Sequence, residues 1–326
     1  MLDFFLNEFY APSILILAGI HLLILLISAK LDFSALRSLA LSSFPMILMT
    51  LLFLQRAVDA GVNWYGEIMP LSILVTLFIT EFMFFSSMQS YIATYSKTEL
   101  WLSIFYATFL LNWLIIFVDH TLTIGSLQPE NILFVRFAGS TMLNLALAEA
   151  LALYFIGKYM FYPDYPYMSI FEPILFIVYG VVMGLNWGGL SNGSYFTPEA
   201  FHTYGFFFPE PFWLFGTITG IFVVVPQFLI AYFGRKYSLE ILEDRTLLSS
   251  LDPYLVPRLR WIGRATYIFA IGVTLSFFIL VGSFQFNVEF LAIFSPWIAS
   301  LLFIMVSAIF YMAFQSPETL RKIVSK

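Results

Sequence analysis

Unbroken apolar runs alternate with short polar stretches along the whole chain, and each run approaches the ~20 residues of helix that cross a hydrocarbon layer of about 30 Å. Nine are legible, at 11–29, 38–55, 70–93, 100–118, 132–157, 170–188, 213–234, 265–285 and 290–313. They lack the every-second-residue alternation over about 10 residues that marks a barrel strand. A segment in lipid must also satisfy its own backbone hydrogen bonds, as a helix does. The pattern therefore predicts an all-α fold, a polytopic transmembrane helical bundle of about nine spans. No interval would hold a separate soluble domain, so residues 1–326 read as a single integral-membrane domain.

Composition strengthens this picture: 60% of residues are hydrophobic, 11% are charged, and the mean hydropathy is +0.89. A soluble fold of this size has no place for so much apolar surface. The intervals carry the topology, because loops rich in Lys and Arg stay on the cytoplasmic side. With the N-terminus outside and the C-terminus cytoplasmic, 13 of the 15 basic residues fall on the inner side, among them Lys30, Arg37, Lys97, Lys158, Arg235, Arg260 and Arg264. The outer segments hold Arg56 and a surplus of acids, including Asp59, Glu67, Asp119, Glu130 and Glu210. The opening MLDFFLNEFY has no basic stretch, so the first span does not resemble a cleaved signal peptide. A plasma-membrane location is expected.

Two intervals stand apart. Residues 189–212 combine eight aromatics with three prolines and two acids, and read as an outer aromatic loop folded over the bundle or against a partner. Within it Asn192-Gly193-Ser194 matches the N-glycosylation acceptor pattern. Residues 235–264 read as a basic cytoplasmic loop with a short amphipathic helix on the inner leaflet.

Familiar chemistry is largely excluded. The chain has no cysteine, which rules out disulfides, iron–sulfur clusters and thiolate zinc sites. Three histidines are too few for two bis-histidine haems, and no ligand cluster suggests a metal site. No phosphate-binding glycine loop, His-Glu-x-x-His helix or serine nucleophile elbow is present. The net charge of −5 and the absence of a basic patch with interleaved aromatics speak against nucleic acid.

Polar residues inside spans are therefore the candidates, since each charge in hydrocarbon costs about 2.5–3.5 kcal/mol on insertion scales. In the fifth span Arg136, Ser140 and Asn144 fall within an arc of about 80° at about 100° per residue, while Glu149 points nearly the opposite way. Facing groups for this stripe are Glu81 in the third span and Asn112 in the fourth, with Trp113 beside it. Together they outline a candidate polar pocket suited to a quinone head group or an anionic lipid head, or else to holding helices together. His21, at mid-depth of the first span, needs a hydrogen-bond partner; as the ligand of a single haem b it would also need a second axial group, for which a methionine would have to serve. Gly180, Gly184 and Gly188, with Gly216 and Gly220 in the next span, predict close packing of spans six and seven. Pro45, Pro226 and Pro296 invite kinks.

The leading expectation is an integral, non-catalytic subunit of a respiratory or electron-transfer complex. It would anchor an extracytoplasmic redox partner on its acidic outer face and form a quinone pocket near Arg136. The alternative is a small-solute or ion transporter coupled through the buried carboxylates Glu81 and Glu149. An enzyme acting on lipid-borne substrates, with Arg136 holding a phosphate, is a third.

Overall fold

The computed structural model of the chain describes residues 10–31, 33–59, 64–123, 132–161, 166–191, 212–243, 255–286 and 289–314. Among these residues there is no strand. The helices are α1 (Tyr10–Lys30), α2 (Ala35–Asp59), α3 (Trp64–Thr94), α4 (Lys97–Thr123), α5 (Ile132–Phe161), α6 (Pro166–Ser191), α7 (Phe212–Glu243), α8 (Leu255–Phe286) and α9 (Glu289–Phe314). Each predicted apolar run lies within one of them. Among the described residues, six helices are long and apolar enough to cross a membrane, drawn from α1 to α5 and α7, and shorter apolar stretches occur at Glu172–Asn186 and Leu301–Ala313. The protein is a multi-pass membrane protein whose apolar surfaces meet lipid.

Local chemistry sets several boundaries. Ser34 precedes α2, and its hydroxyl accepts from the Arg37 N–H at 3.4 Å, an N-cap arrangement. The turn between α3 and α4 is two residues long: Tyr95 takes a left-handed φ of 53°, and Ser96 opens a Ser-Lys-Thr-Glu capping pattern for α4. The basic segment 235–264 is a correction to the sequence reading. Its two ends are not loop, because 235–243 prolong α7 and 255–264 begin α8, while 244–254 lie outside the described residues. Arg, Lys, Leu and Glu, unbranched at Cβ, sustain a helix, and Pro257 sits in the first turn of α8, where its missing N–H costs nothing.

Packing arranges the helices as a ring with two flanks. α3, α4, α5, α7, α8 and α9 contact one another in that order, and α9 closes back on α3. α1 and α2 brace the ring at α3 and α4, and α6 lies against α5 and α7. The core is aromatic around α4: Phe109 stacks on Phe303 with ring centroids 3.8 Å apart, and Phe269 lies 6.4 Å from Phe109.

Backbone groups freed at helix ends and prolines find partners across this packing. Tyr10 of α1 donates to the Thr121 carbonyl in the last turn of α4 at 2.8 Å, where no intrahelical N–H remains to bond it. Pro226 cannot donate to the carbonyl four residues earlier, Phe222, and the Tyr179 hydroxyl of α6 donates there instead at 2.5 Å. α7 thus continues unbroken through the proline.

The glycine stripe of α6 behaves differently from its prediction. Gly180 and Gly184 are exposed, and a Cβ at either would meet nothing within 4 Å. Gly188 and Gly216 lie outside the residues whose side-chain surroundings are described. α6 turns Tyr179, Val182 and Asn186 inward instead, because those positions carry the groups able to bond α5 and α7. Close backbone approaches occur elsewhere: a Cβ on Gly157 of α5 would come within 2.6 Å of Ile230 of α7, and one on Gly272 of α8 would strike Leu302 of α9.

The helices alternate in direction, and the two ends differ. At one end Gln89 of α3 donates to the Phe33 carbonyl at 2.9 Å, Arg37 lies over the Phe33 ring, Lys97 lies over Tyr159, and Phe161 meets Tyr237. At the other, Arg56 of α2 lies over Tyr10.

Candidate functional site

A cavity of about 160 Å³ lies inside the ring, between α4, α5, α7, α8 and α9. Its polar wall is built by three side chains from three helices, Asn112 of α4, Glu149 of α5 and Gln227 of α7. Glu149 is 6% exposed and Gln227 1%. Asn112 Nδ2 donates to Glu149 Oε1 at 3.0 Å, which leaves Asn112 Oδ1 with no partner, and Gln227 Oε1 is likewise unpartnered. The three side chains bring a carboxyl and two amide groups beside the space, with Asn112 Oδ1 and Gln227 Oε1 unpartnered. The remaining wall is apolar, with Phe109, Trp113, Val223 and Phe269, and Gly272 gives Leu302 room to approach. The accessible lining is almost wholly apolar, and the polar atoms of Asn112, Glu149 and Gln227 sit at its edge.

The predicted pocket residues separate into distinct places. Arg136 and Ser140 fall on the backbone of α5, but their side chains lie outside the described residues, as does Asn192. Asn112 and Trp113 line the cavity. Asn144 does not; it accepts from Asn186 Nδ2 of α6 at 3.0 Å, and that amide also reaches Thr219 Oγ1 of α7 at 3.1 Å. Asn144, Asn186 and Thr219 form a clamp across three helices, about one to two turns along α5 and α7 from the cavity. Glu149 faces the other way from Asn144, as the helical angle requires, and meets Asn112.

Glu81 belongs to a third place. Ser42 of α2 donates to its Oε1, and His21 Nδ1 of α1 lies 3.2 Å from the Ser42 carbonyl oxygen. His21, Ser42 and Glu81 have no exposed surface, and His21 Nε2 and Glu81 Oε2 have no partner. The geometry is not that of a nucleophile triad, because the serine hydroxyl serves the carboxylate and the imidazole touches only backbone. His21 Nδ1 thus has a hydrogen-bond partner in the Ser42 carbonyl.

The charged pair Lys158–Glu172 links α5 to α6, with side chains 9% and 18% exposed. Sequence reading missed Gln227, Asn186, Thr219 and Ser42 as members of these clusters. Gln227 did carry a signal, an amide directly after Pro226 in an otherwise apolar run. Comparison with protein-family models, with curated proteins and with solved structures finds no match for the chain.

Proposed function

We propose that the protein is a small-solute or ion transporter that carries an alkali cation or a small primary ammonium ion through the six-helix ring, with Glu149 as the binding carboxylate. In this reading nine helices span the plasma membrane, the N-terminus faces outward and the end bearing Lys30, Arg37 and Arg235 faces the cytoplasm. The observation that carries it is the meeting of the buried Glu149 carboxyl with the unpartnered amide oxygens of Asn112 and Gln227 at one cavity. The unpartnered amide oxygens of Asn112 and Gln227 beside the Glu149 carboxyl support a ligand that donates hydrogen bonds or is positively charged. A buried carboxylate in a bundle interior marks such pathways, because its cost in hydrocarbon must be offset by a partner.

The test is uptake into proteoliposomes holding the purified chain, with sodium and methylammonium as probes. Gradient-driven uptake of one of them is expected, with Glu149→Gln abolishing it and Gln227→Leu weakening it. Absence of uptake of both by the unaltered chain would end this reading.

The accessory electron-transfer subunit is the second reading, favoured by one observation: Phe109, Trp113 and Phe269 give the cavity aromatic walls beside the Asn112 amide, a lining suited to a flat quinone ring. Organic extraction of the purified protein separates the two. Stoichiometric quinone lost on Trp113→Ala would favour the subunit.

A further inference from the structure

α7 and α8 cross at Gly234 and Gly263, where a Cβ on Gly234 would lie 3.6 Å from the Gly263 Cα. Beside the crossing, a groove of about 800 Å³ opens on the outer surface of the bundle. Three cations converge on it, Arg235 from α7 and Arg260 and Arg264 from α8. The two on α8 are one turn apart on one face. Among the described residues, the ion pairs are Lys158–Glu172 and Lys236–Glu240, and neither involves this trio. Guanidiniums gathered in one groove repel one another, and an anion seated among them relieves that repulsion.

The groove also has a direction. From Arg235, Tyr232 and Phe228 lie about one and two turns back along α7, and from Arg264, Tyr267 lies about one turn on along α8, toward the same level of the bundle. Tyr232, Tyr267 and Phe228 present 61%, 49% and 37% of their surface outward. A cationic mouth at the bundle's basic end thus runs into an aromatic trough beside the apolar core.

We infer that this groove is a binding site for an anionic phospholipid, whose phosphate is held by Arg235, Arg260 and Arg264 and whose acyl chain lies along Tyr232, Phe228 and Tyr267. A soluble phosphate has no use for the apolar length, and a zwitterionic lipid brings an ammonium into the cationic mouth. The forked guanidinium suits phosphate oxygens, and arginines clustered at the cytoplasmic border of spans attract anionic headgroups. The inference is independent of the transport proposal, since the groove and the central cavity share no lining residue.

The experiment is native mass spectrometry of the full chain released from nanodiscs containing equal phosphatidylglycerol and phosphatidylcholine. Retained phosphatidylglycerol should exceed phosphatidylcholine about tenfold. The combined variant Arg235→Gln, Arg260→Gln, Arg264→Gln should lose that preference, while the corresponding triple Lys variant keeps part of it and guards against a folding defect. Equal retention of the two lipids, or an unchanged preference in the Gln variant, would overturn the inference. So would complete displacement by inorganic phosphate, which would mark a free-anion site, or a several-fold rise in lipid retention on Asp252→Asn, which would mean that the chain's own 244–254 segment fills the groove.

Discussion

Single side chains hold this bundle together through polar bonds in an apolar setting, and their removal is measurable. Tyr179→Phe deletes one hydroxyl and strands the Phe222 carbonyl that Pro226 leaves without an N–H. A loss of about 1 kcal/mol is expected, read as a lower thermal midpoint in detergent. Asn186→Leu removes the amide shared by Asn144 and Thr219, so a larger loss of about 1–3 kcal/mol should follow. The ion pair between Lys158 and Glu172 is more exacting. Glu172→Gln leaves a cation 8% exposed without its counter-charge, and about 3–5 kcal/mol of stability should go with it. Restoring neutrality with Lys158→Met in the same chain should recover most of the thermal midpoint. These residues were visible in the sequence as polar interruptions of apolar runs. Their partners were not, because a bond between residues 42 positions apart depends on how two helices are rotated.

At the scale of an element, α1 shows why the inward face is hard to read. Its buried residues, Tyr10, Ile14, Ala18, His21, Leu25 and Ser28, follow spacings of three and four, yet Leu15, Ile16, Leu23 and Leu26 on the opposite face are just as apolar. Lipid replaces water on that face, so the contrast that marks the buried stripe of a soluble helix vanishes. What separates the faces is polarity: Ser28 of α1, Ser38, Ser42 and Thr50 of α2, and Thr76 and Thr80 of α3 all turn inward. The glycines divide too. Gly157→Ala would drive a methyl to 2.6 Å from the branched Ile230 side chain, and about 1–3 kcal/mol of destabilisation is expected. Gly180→Ala and Gly184→Ala meet nothing and gain helix propensity, so thermal midpoints equal to or above the parent are expected. A large loss at Gly180 would place a second chain against that face.

At the scale of the whole molecule, alternating helix direction gathers Lys30, Arg37, Lys97, Lys158 and Arg235 toward one end and Tyr10 and Arg56 toward the other. The chain has no cysteine, so a single introduced thiol reports one position without background. In intact cells, Leu31→Cys and Lys236→Cys should react only with a membrane-permeant reagent, and Val58→Cys with an impermeant one. Reaction of Leu31→Cys and Val58→Cys from the same side would break the alternating topology. The reverse pattern would keep the bundle and invert the orientation.

Sequence alone determined that the protein is helical and lipid-embedded, which apolar run forms the middle of each helix, and which polar residues are out of place. Those properties follow from run length and from the cost of bare backbone and charge in hydrocarbon, both of which are local. Only the tertiary structure decided that Glu149 meets Asn112 at a cavity that Gln227 also lines, that Asn144 clamps α6, that two glycines of α6 face away from its neighbours, and that three arginines share one groove. Each of these depends on helix rotation and neighbour order, which uniformly apolar helix surfaces leave open until small residues and hydrogen bonds select one packing.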